Sequence, residues 1–151
     1  MLRTILERRT LRILVADDFH YWRALVRNLL GASPELQIID EACNGLEAVQ
    51  KAVELGPDLV LLDLGMPILD GIAAAKRIRQ ACPRCKLIFL SQNSDTEVRG
   101  AALSVGAEAY VLKTDAAREL LPAIQAAMGR VGSGSNLQPA PASVAPEQIP
   151  S

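Results

Sequence analysis

Four consecutive apolar residues, Leu59, Val60, Leu61 and Leu62, run directly into Asp63 and a loop punctuated by Gly65, Pro67, Asp70 and Gly71. An unbroken apolar run of this kind marks a strand covered on both faces, as in a parallel sheet. A carboxylate at the carboxyl end of such a strand lies where open α/β sheets bind ligands, in the crevice beyond the strand tips. Taken alone, Asp63 reads as a turn residue, because Asp favours turns for local reasons. Its meaning depends on what the other strand ends carry.

The rest of the chain repeats the same pattern. Leu11–Ala16 is a second apolar run and ends on Asp17 and Asp18. Phe19, Trp22, Leu25, Val26, Leu29 and Leu30 then recur at helical spacing, until Gly31 and Pro34 stop the helix. Leu36–Ala42 is a more polar strand, as expected near a sheet edge. Asn44 is placed to cap a helix whose buried face is expected from Leu46, Val49 and Val53. After the Gly/Pro loop, Ile72, Ala75, Ile78 and Arg79 predict a helix ending before Pro83.

Lys86–Leu90 predicts a fourth strand, ending at Ser91. Thr96–Val105 predicts a weaker helix with Val98, Ala101, Ala102 and Val105 inward, stopped by Gly106. Ala109–Leu112 is a fifth strand ending at Lys113, and Asp115 is placed to cap a last helix carrying Leu120, Leu121, Ile124, Ala127 and Met128. Pro122 would cost that helix a hydrogen bond, so the helix should start near Arg118 or bend. Strand and helix alternate five times, which argues for a parallel α/β sheet with right-handed crossovers and helices on both faces.

Composition narrows the class. A chain of 151 residues that is 50% hydrophobic and 22% charged fits one globular domain. We assign residues 1–10 to a lead-in, 11–129 to the domain and 130–151, rich in Pro, Gly, Ser and Ala, to a disordered tail or truncated linker. The net charge of −1 offers no basic stripe for nucleic acid, and no apolar run approaches a membrane span. The opening MLRTILERRT has no apolar signal region behind it, so a cytoplasmic location is expected.

Three cysteines, Cys43, Cys82 and Cys85, accordingly read as reduced thiols. Cys82 and Cys85 spell C-x-x-C, but a zinc site would need further ligands and the chain has one His, His20. A redox pair of the thioredoxin type would open a helix, whereas this pair closes one. The expectation is surface thiols in a turn.

In a parallel sheet all strand ends face one way, so Asp17, Asp18, Asp63, Ser91 and Lys113 should converge on one crevice. Three nearby carboxylates repel and raise one another's pKa unless a cation intervenes. Hard oxygen donors on a partly hydrated site suit Mg²⁺, which binds through a few carboxylates, waters and phosphate oxygens. Lys113 and Ser91 would then hold the oxygens of a phosphoryl group, and a carboxylate can itself be the nucleophile.

The order DD … LLDLGMPILDG … LS … YVLK resembles the receiver domain of two-component response regulators over roughly residues 11–129. The resemblance implies a doubly wound (βα)5 fold with flavodoxin-like strand order 2-1-3-4-5. It implies Asp63 as phospho-acceptor, taking its phosphoryl group from a sensor histidine kinase or phosphotransfer protein. It implies Mg²⁺ held by Asp18, Asp63 and the Gly65 backbone carbonyl, with Asp17 acting through water. Lys113 becomes the phosphate's ion pair, Ser91 the switch hydroxyl and Tyr110 the aromatic that turns inward as Ser91 moves. Gln92 would border the phosphate, and Gly65 and Asn93 occupy the places that tune its lifetime.

Thr114 stands after Lys113 where many receivers have proline, which leaves the geometry of that peptide open. SQNSDTEV and GAEAYVLKTDAARELLPAI are most similar to receivers that precede a LuxR-type helix-turn-helix. No such element follows here, so we expect this chain to bind no nucleic acid and to act on a downstream protein partner or a missing output domain. A homodimer through the helix-four to helix-five face is compatible with the resemblance, though no single residue argues for it.

Two other classes compete. A pseudo-receiver scaffold would not need the intact Asp17, Asp18, Asp63, Ser91 and Lys113. A haloacid-dehalogenase-type phosphatase needs a second Asp where Gly65 stands, and a nucleotide-binding Rossmann fold needs a glycine-rich loop after the first strand. The expectation is self-phosphorylation and dephosphorylation, without turnover of an external substrate.

Overall fold

The computed structural model describes residues 10–133. The remainder of the expected lead-in and tail, residues 1–9 and 134–151, lies outside the described residues. The elements are β1 (Leu11–Ala16), α1 (His20–Leu30), β2 (Leu36–Ala42), α2 (Gly45–Leu55), β3 (Leu59–Leu62), α3 (Gly71–Ala81), β4 (Lys86–Ser91), α4 (Thr96–Ser104), β5 (Ala109–Leu112) and α5 (Ala116–Ser133). A 3-10 turn over Lys113–Asp115 joins β5 to α5.

The five strands form one sheet in the order β2-β1-β3-β4-β5, and every neighbouring pair is parallel. β3 lies at the centre with all four residues buried, as its unbroken apolar run requires. β2 is an edge strand, which explains its polar residues.

Alternation of side chains along each strand divides the core in two. Leu14, Val60, Leu62, Leu87 and Phe89 point to the side covered by α2, α3 and α4. Ile13, Val15, Leu59, Leu61 and Ile88 point to the side covered by α1 and α5, where Val26, Leu30, Leu120 and Ile124 meet them.

Several expected helix faces are turned. In α2 the buried residues are Gly45, Ala48 and Ala52, with Val49 only partly covered. Leu46 and Val53 are exposed instead. The face starts against the β3–α3 loop: a Cβ on Gly45 would lie 1.8 Å from the Leu69 carbonyl oxygen, so no side chain fits at that position. In α1, Phe19 is the residue before the first turn and is exposed, and in α4 Ala101 is exposed while Ala102 is buried.

Caps follow the sequence more closely. Asn44 Oδ1 accepts the Glu47 N–H at 2.8 Å, and Glu47 reaches back to the Cys43 N–H at 2.7 Å. Asp115 instead pairs with Arg118 at 3.2 Å, within the turn that leads into the last helix. That helix begins at Ala116 rather than near Arg118, carries Pro122 on an exposed position, and extends past the boundary expected at 129.

Cys82 and Cys85 correct the reading of surface thiols. Cys85 is buried, and a disulfide joins the two sulfurs. Their Cα atoms are 5.7 Å apart, in the middle of the range a disulfide spans. Cys43 remains an exposed free thiol.

Candidate functional site: the carboxyl edge of the sheet

The ladder continues one residue past two strand ends. The Asp17 N–H donates to the Ala42 carbonyl and the Asp63 N–H to the Ala16 carbonyl, both at 3.0 Å. These bonds hold the backbone of both residues to the sheet. Ser91 ends β4 and Lys113 follows β5, so residues distant in sequence meet at one edge.

These four are polar groups in a buried place: Asp17, Asp63, Ser91 and Lys113 are 3%, 8%, 2% and 4% exposed. Asp18 is more open to solvent. One carboxylate oxygen from each of Asp17, Asp18 and Asp63 lies within 4.8 Å of the others. Lys113 Nζ stands 2.7 Å from Asp17 Oδ2 and 3.4 Å from Asp63 Oδ1. Its ammonium also lies 4.8 Å from the centre of the Trp22 ring, within cation–π range.

Burial pushes the Asp63 carboxyl above its ordinary pKa, and the neighbouring Asp17 charge pushes it further, while Lys113 pulls it back. One ammonium therefore only partly offsets three carboxylates. A bound divalent cation would be the largest local charge and would reverse this balance.

Asp17 is held on both sides. Its Oδ1 accepts the Phe19 N–H at 2.9 Å, and Arg23 donates to its backbone carbonyl at 2.8 Å. Arg23 is itself anchored to Glu41 at 2.9 Å.

The β3–α3 loop is folded tightly against Asp63. A Cβ on Gly71 would lie 2.1 Å from the Asp63 carbonyl oxygen, so glycine is required by close approach. The Gly71 N–H donates to the Leu64 carbonyl at 2.8 Å, and Asp70 caps α3 by accepting the Ala73 N–H at 2.9 Å. Gly65 is different: a Cβ there would have nothing within 4 Å. It borders a cleft of about 700 Å³ whose wall includes Asp18, Asp63, Gln92, Asn93, Ser91 and Lys113.

The β4–α4 loop turns on Asn93. Its N–H donates to Ser91 Oγ at 3.0 Å, and its carbonyl accepts the Tyr110 hydroxyl at 2.7 Å. Its side-chain oxygen accepts the Asp95 N–H at 2.9 Å, and Asp95 in turn caps α4. The Asn93 side chain is thus tied to the helix start. Tyr110 is buried, with the Arg99 guanidinium 5.5 Å from its ring centre.

No cis peptide occurs among the described residues, so the Lys113–Thr114 bond is trans and leads directly into the 3-10 turn. All the expected site residues therefore reach this edge or the loops around it. Two neighbours were missed. Trp22 reads in sequence as one more apolar position of α1, and its only signal is its place one turn after Asp17 and Asp18. Arg99 carries no sequence signal, because its contact is with a strand residue on another element.

Comparison with known proteins gives a consistent answer. Residues 13–125 match the response regulator receiver domain. The chain is 39% identical over 117 residues to the transcriptional regulatory protein LiaR of Bacillus subtilis, covering 78% of this chain and 56% of that protein. It is 37% identical over 129 residues to the uncharacterized transcriptional regulatory protein YhcZ of the same species, covering 85% and 60%. Against the protein-glutamate methylesterase/protein-glutamine glutaminase of Aliivibrio fischeri it is 42% identical over 85 residues, 56% of this chain and 23% of that one. The chain thus spans at most about three fifths of these relatives.

Among solved structures, the response regulator domain of Thermotoga maritima CheB superposes with a TM-score of 0.75 at 32% identity, covering 80% of this chain and 98% of that one. A LuxR-family two-component response regulator from Aurantimonas superposes with a TM-score of 0.76 at 31% identity, covering 80% and 86%. With the strand order, the acidic cleft and the matched residues in agreement, the chain belongs to the response regulator receiver family.

Proposed function

We propose that this domain is a phospho-accepting signalling switch with Asp63 as the acceptor. The observation that carries the reading is the convergence of Asp17, Asp18 and Asp63 within 4.8 Å beside the buried Lys113 ammonium. A carboxylate oxygen of Asp63 attacks phosphorus on a phosphohistidine of a sensor kinase or phosphotransfer protein. The phosphorus–nitrogen bond breaks, the imidazole leaves and takes up a proton, and an acyl phosphate remains.

The hard oxygen donors of the cluster fit Mg²⁺. Asp18, Asp63 and the Gly65 backbone carbonyl would hold it, with Asp17 acting through water. Bound there, it supplies positive charge against the phosphoryl oxygens. Lys113 supplies a second positive charge from the protein itself. Ser91 exchanges the Asn93 N–H for a phosphoryl oxygen, which releases one bond of the β4–α4 loop. Tyr110 and the α4–β5–α5 surface then carry the change to a partner or output domain. Relatives named as transcriptional regulators support control of an output domain. A cytoplasmic setting suits a domain that receives phosphate from a kinase.

The test is intact mass after treatment with acetyl phosphate and Mg²⁺. Gain of one phosphoryl group, lost in Asp63→Asn, is expected. No gain at any Mg²⁺ concentration would replace this reading with a non-phosphorylated scaffold.

A further inference from the structure

At the opposite edge of the sheet, Cys82 caps the C-terminus of α3 and β4 begins one residue after Cys85. We infer that this Cys82–Cys85 pair is a reversible thiol–disulfide exchange site, taking low-molecular-weight or protein disulfides as its substrate class. The pair lies apart from the Asp63 cleft, and its chemistry is independent of the proposed phosphorylation.

The turn is built by its backbone. The Cys85 N–H donates to the Cys82 carbonyl at 3.1 Å across Pro83 and Arg84, a β-turn with proline where its fixed φ suits the bend. The Cys82 N–H donates to the Ile78 carbonyl at 2.7 Å, which ties the turn to α3. Arg79 donates to the Cys85 carbonyl at 3.0 Å, which ties it to the helix from the other side. None of these bonds uses a sulfur atom. The two cysteines therefore stay within the 5.7 Å Cα separation whether the sulfurs are joined or not.

Opening and closing such a bond requires no refolding, and closing so short a loop removes little entropy from the unfolded chain. A bond that adds little to stability, between cysteines already held together by the turn, is suited to exchange rather than to bracing the fold.

The two sulfurs are also unequal. Cys82 is partly exposed at the helix end, whereas Cys85 is buried at 1% exposure among the α3-side core residues. Exchange therefore proceeds through Cys82. In oxidation, the Cys82 thiolate attacks the incoming disulfide, one thiol leaves, and a mixed disulfide forms on Cys82. The Cys85 thiolate then attacks the Cys82 sulfur, the second thiol leaves, and the internal bond closes. The sum is two protein thiols plus one disulfide giving one protein disulfide and two thiols. Reduction is the reverse, with the external thiolate attacking Cys82.

The site also touches the signalling side of the domain. The Arg79 guanidinium that holds the Cys85 carbonyl packs against Gly106, where an added Cβ would lie 3.3 Å from Arg79 Nε. Gly106 sits between α4 and β5 with φ of 98°. One side chain thus links the Cys85 turn to the α4–β5 connection.

The full chain, equilibrated in buffers of graded reduced-to-oxidised glutathione ratio, is quenched with acid, unfolded and alkylated with N-ethylmaleimide, and its mass is read. Three labelled thiols are expected in reducing buffer; in oxidising buffer Cys82 and Cys85 lose their labels without gaining glutathione, while the exposed Cys43 is either labelled or carries one glutathione, and dithiothreitol restores all three labels without denaturant. Three labels at every ratio, or a bond that opens only after denaturation, would overturn the proposal. In Cys85→Ser a lasting glutathione adduct on Cys82 is expected, and in Cys82→Ser the buried Cys85 should stay free of it. Equal adducts in both variants would overturn the order of attack. If Cys85→Ser does not fold, Cys82→Ser still decides, because it must abolish the protected pair.

Discussion

Lys113 holds its ammonium 2.7 Å from the Asp17 carboxylate, with side-chain exposures of 3% and 5%. A pair this deeply placed is not a surface ion pair, and removing one partner leaves an uncompensated buried charge. Lys113→Met is therefore expected to destabilise the domain by about 3 kcal/mol at neutral pH in Mg²⁺-free buffer. Asp17, Asp18 and Asp63 would then face one another without a cation, so added Mg²⁺ should return part of the loss. Urea unfolding with and without Mg²⁺ measures both effects. An unchanged midpoint would mean that the ammonium contributes nothing net.

Asp63 should act against stability. Its folded-state pKa is raised by burial first and by Asp17 second, so the folded state binds its proton more tightly than the unfolded state does. Stability from this group is then greatest below the ordinary carboxylate range and falls as pH rises through the raised value. Asp63→Asn removes that slope. We expect a gain on the order of 1 kcal/mol at pH 7 that shrinks as the pH is lowered. Thermal unfolding across pH checks it, and a gain that grew toward acid would contradict the sign.

Two glycines of one loop should respond in opposite ways. An added Cβ at Gly71 meets the Asp63 carbonyl oxygen at 2.1 Å, and backbone cannot move aside as a flexible side chain can. Gly71→Ala is expected to cost about 3 kcal/mol, the upper end for overpacking. Gly65 has open space around it, so Gly65→Ala should stay within about 0.5 kcal/mol. Equilibrium unfolding of the two variants side by side makes the comparison.

What the sequence disclosed and what it withheld have separate physical origins. The Leu59–Leu62 run and its counterparts at Leu11–Ala16, Lys86–Leu90 and Ala109–Leu112 declared buried parallel strands because covering both faces leaves no room for alternation, while Leu36–Ala42 declared an edge by its polar residues. Once the strands were placed, parallelism alone sent Asp17, Asp63, Ser91 and Lys113 to one edge. Helix faces were less legible. The α2 stripe of Leu46, Val49 and Val53 has helical spacing, yet the buried face is Gly45, Ala48 and Ala52, and it begins at Gly45, where Leu69 comes too close for any side chain. Spacing reports a period, whereas the face it selects depends on a loop from another element. The same holds for Trp22 and Arg99, whose partners Lys113 and Tyr110 are distant in sequence. The Cys82–Cys85 bond is not legible from compartment, from zinc-ligand spacing or from the helix the pair closes, because what brings the sulfurs together is the local β-turn.

If Asp63 carries phosphate, its lifetime should depend on what borders the cleft. Gly65 presents no side chain there, which leaves a path for water, while Gln92 also lines the cleft. Gly65→Asn is expected to slow hydrolysis and Gln92→Ala to speed it, each by a few-fold, on the order of 1 kcal/mol in barrier. Asn93 also borders the cleft but should act differently, because its side-chain oxygen is engaged by the Asp95 N–H. Asn93→Ala would loosen the start of α4 and change lifetime only through that movement. Trp22 offers the readout, since its ring lies 4.8 Å from the Lys113 ammonium and its fluorescence should follow the charge at the site. Decay of that signal after removal of acetyl phosphate gives the lifetime directly, and equal decay in wild type, Gly65→Asn and Gln92→Ala would sink the idea that these two positions control it.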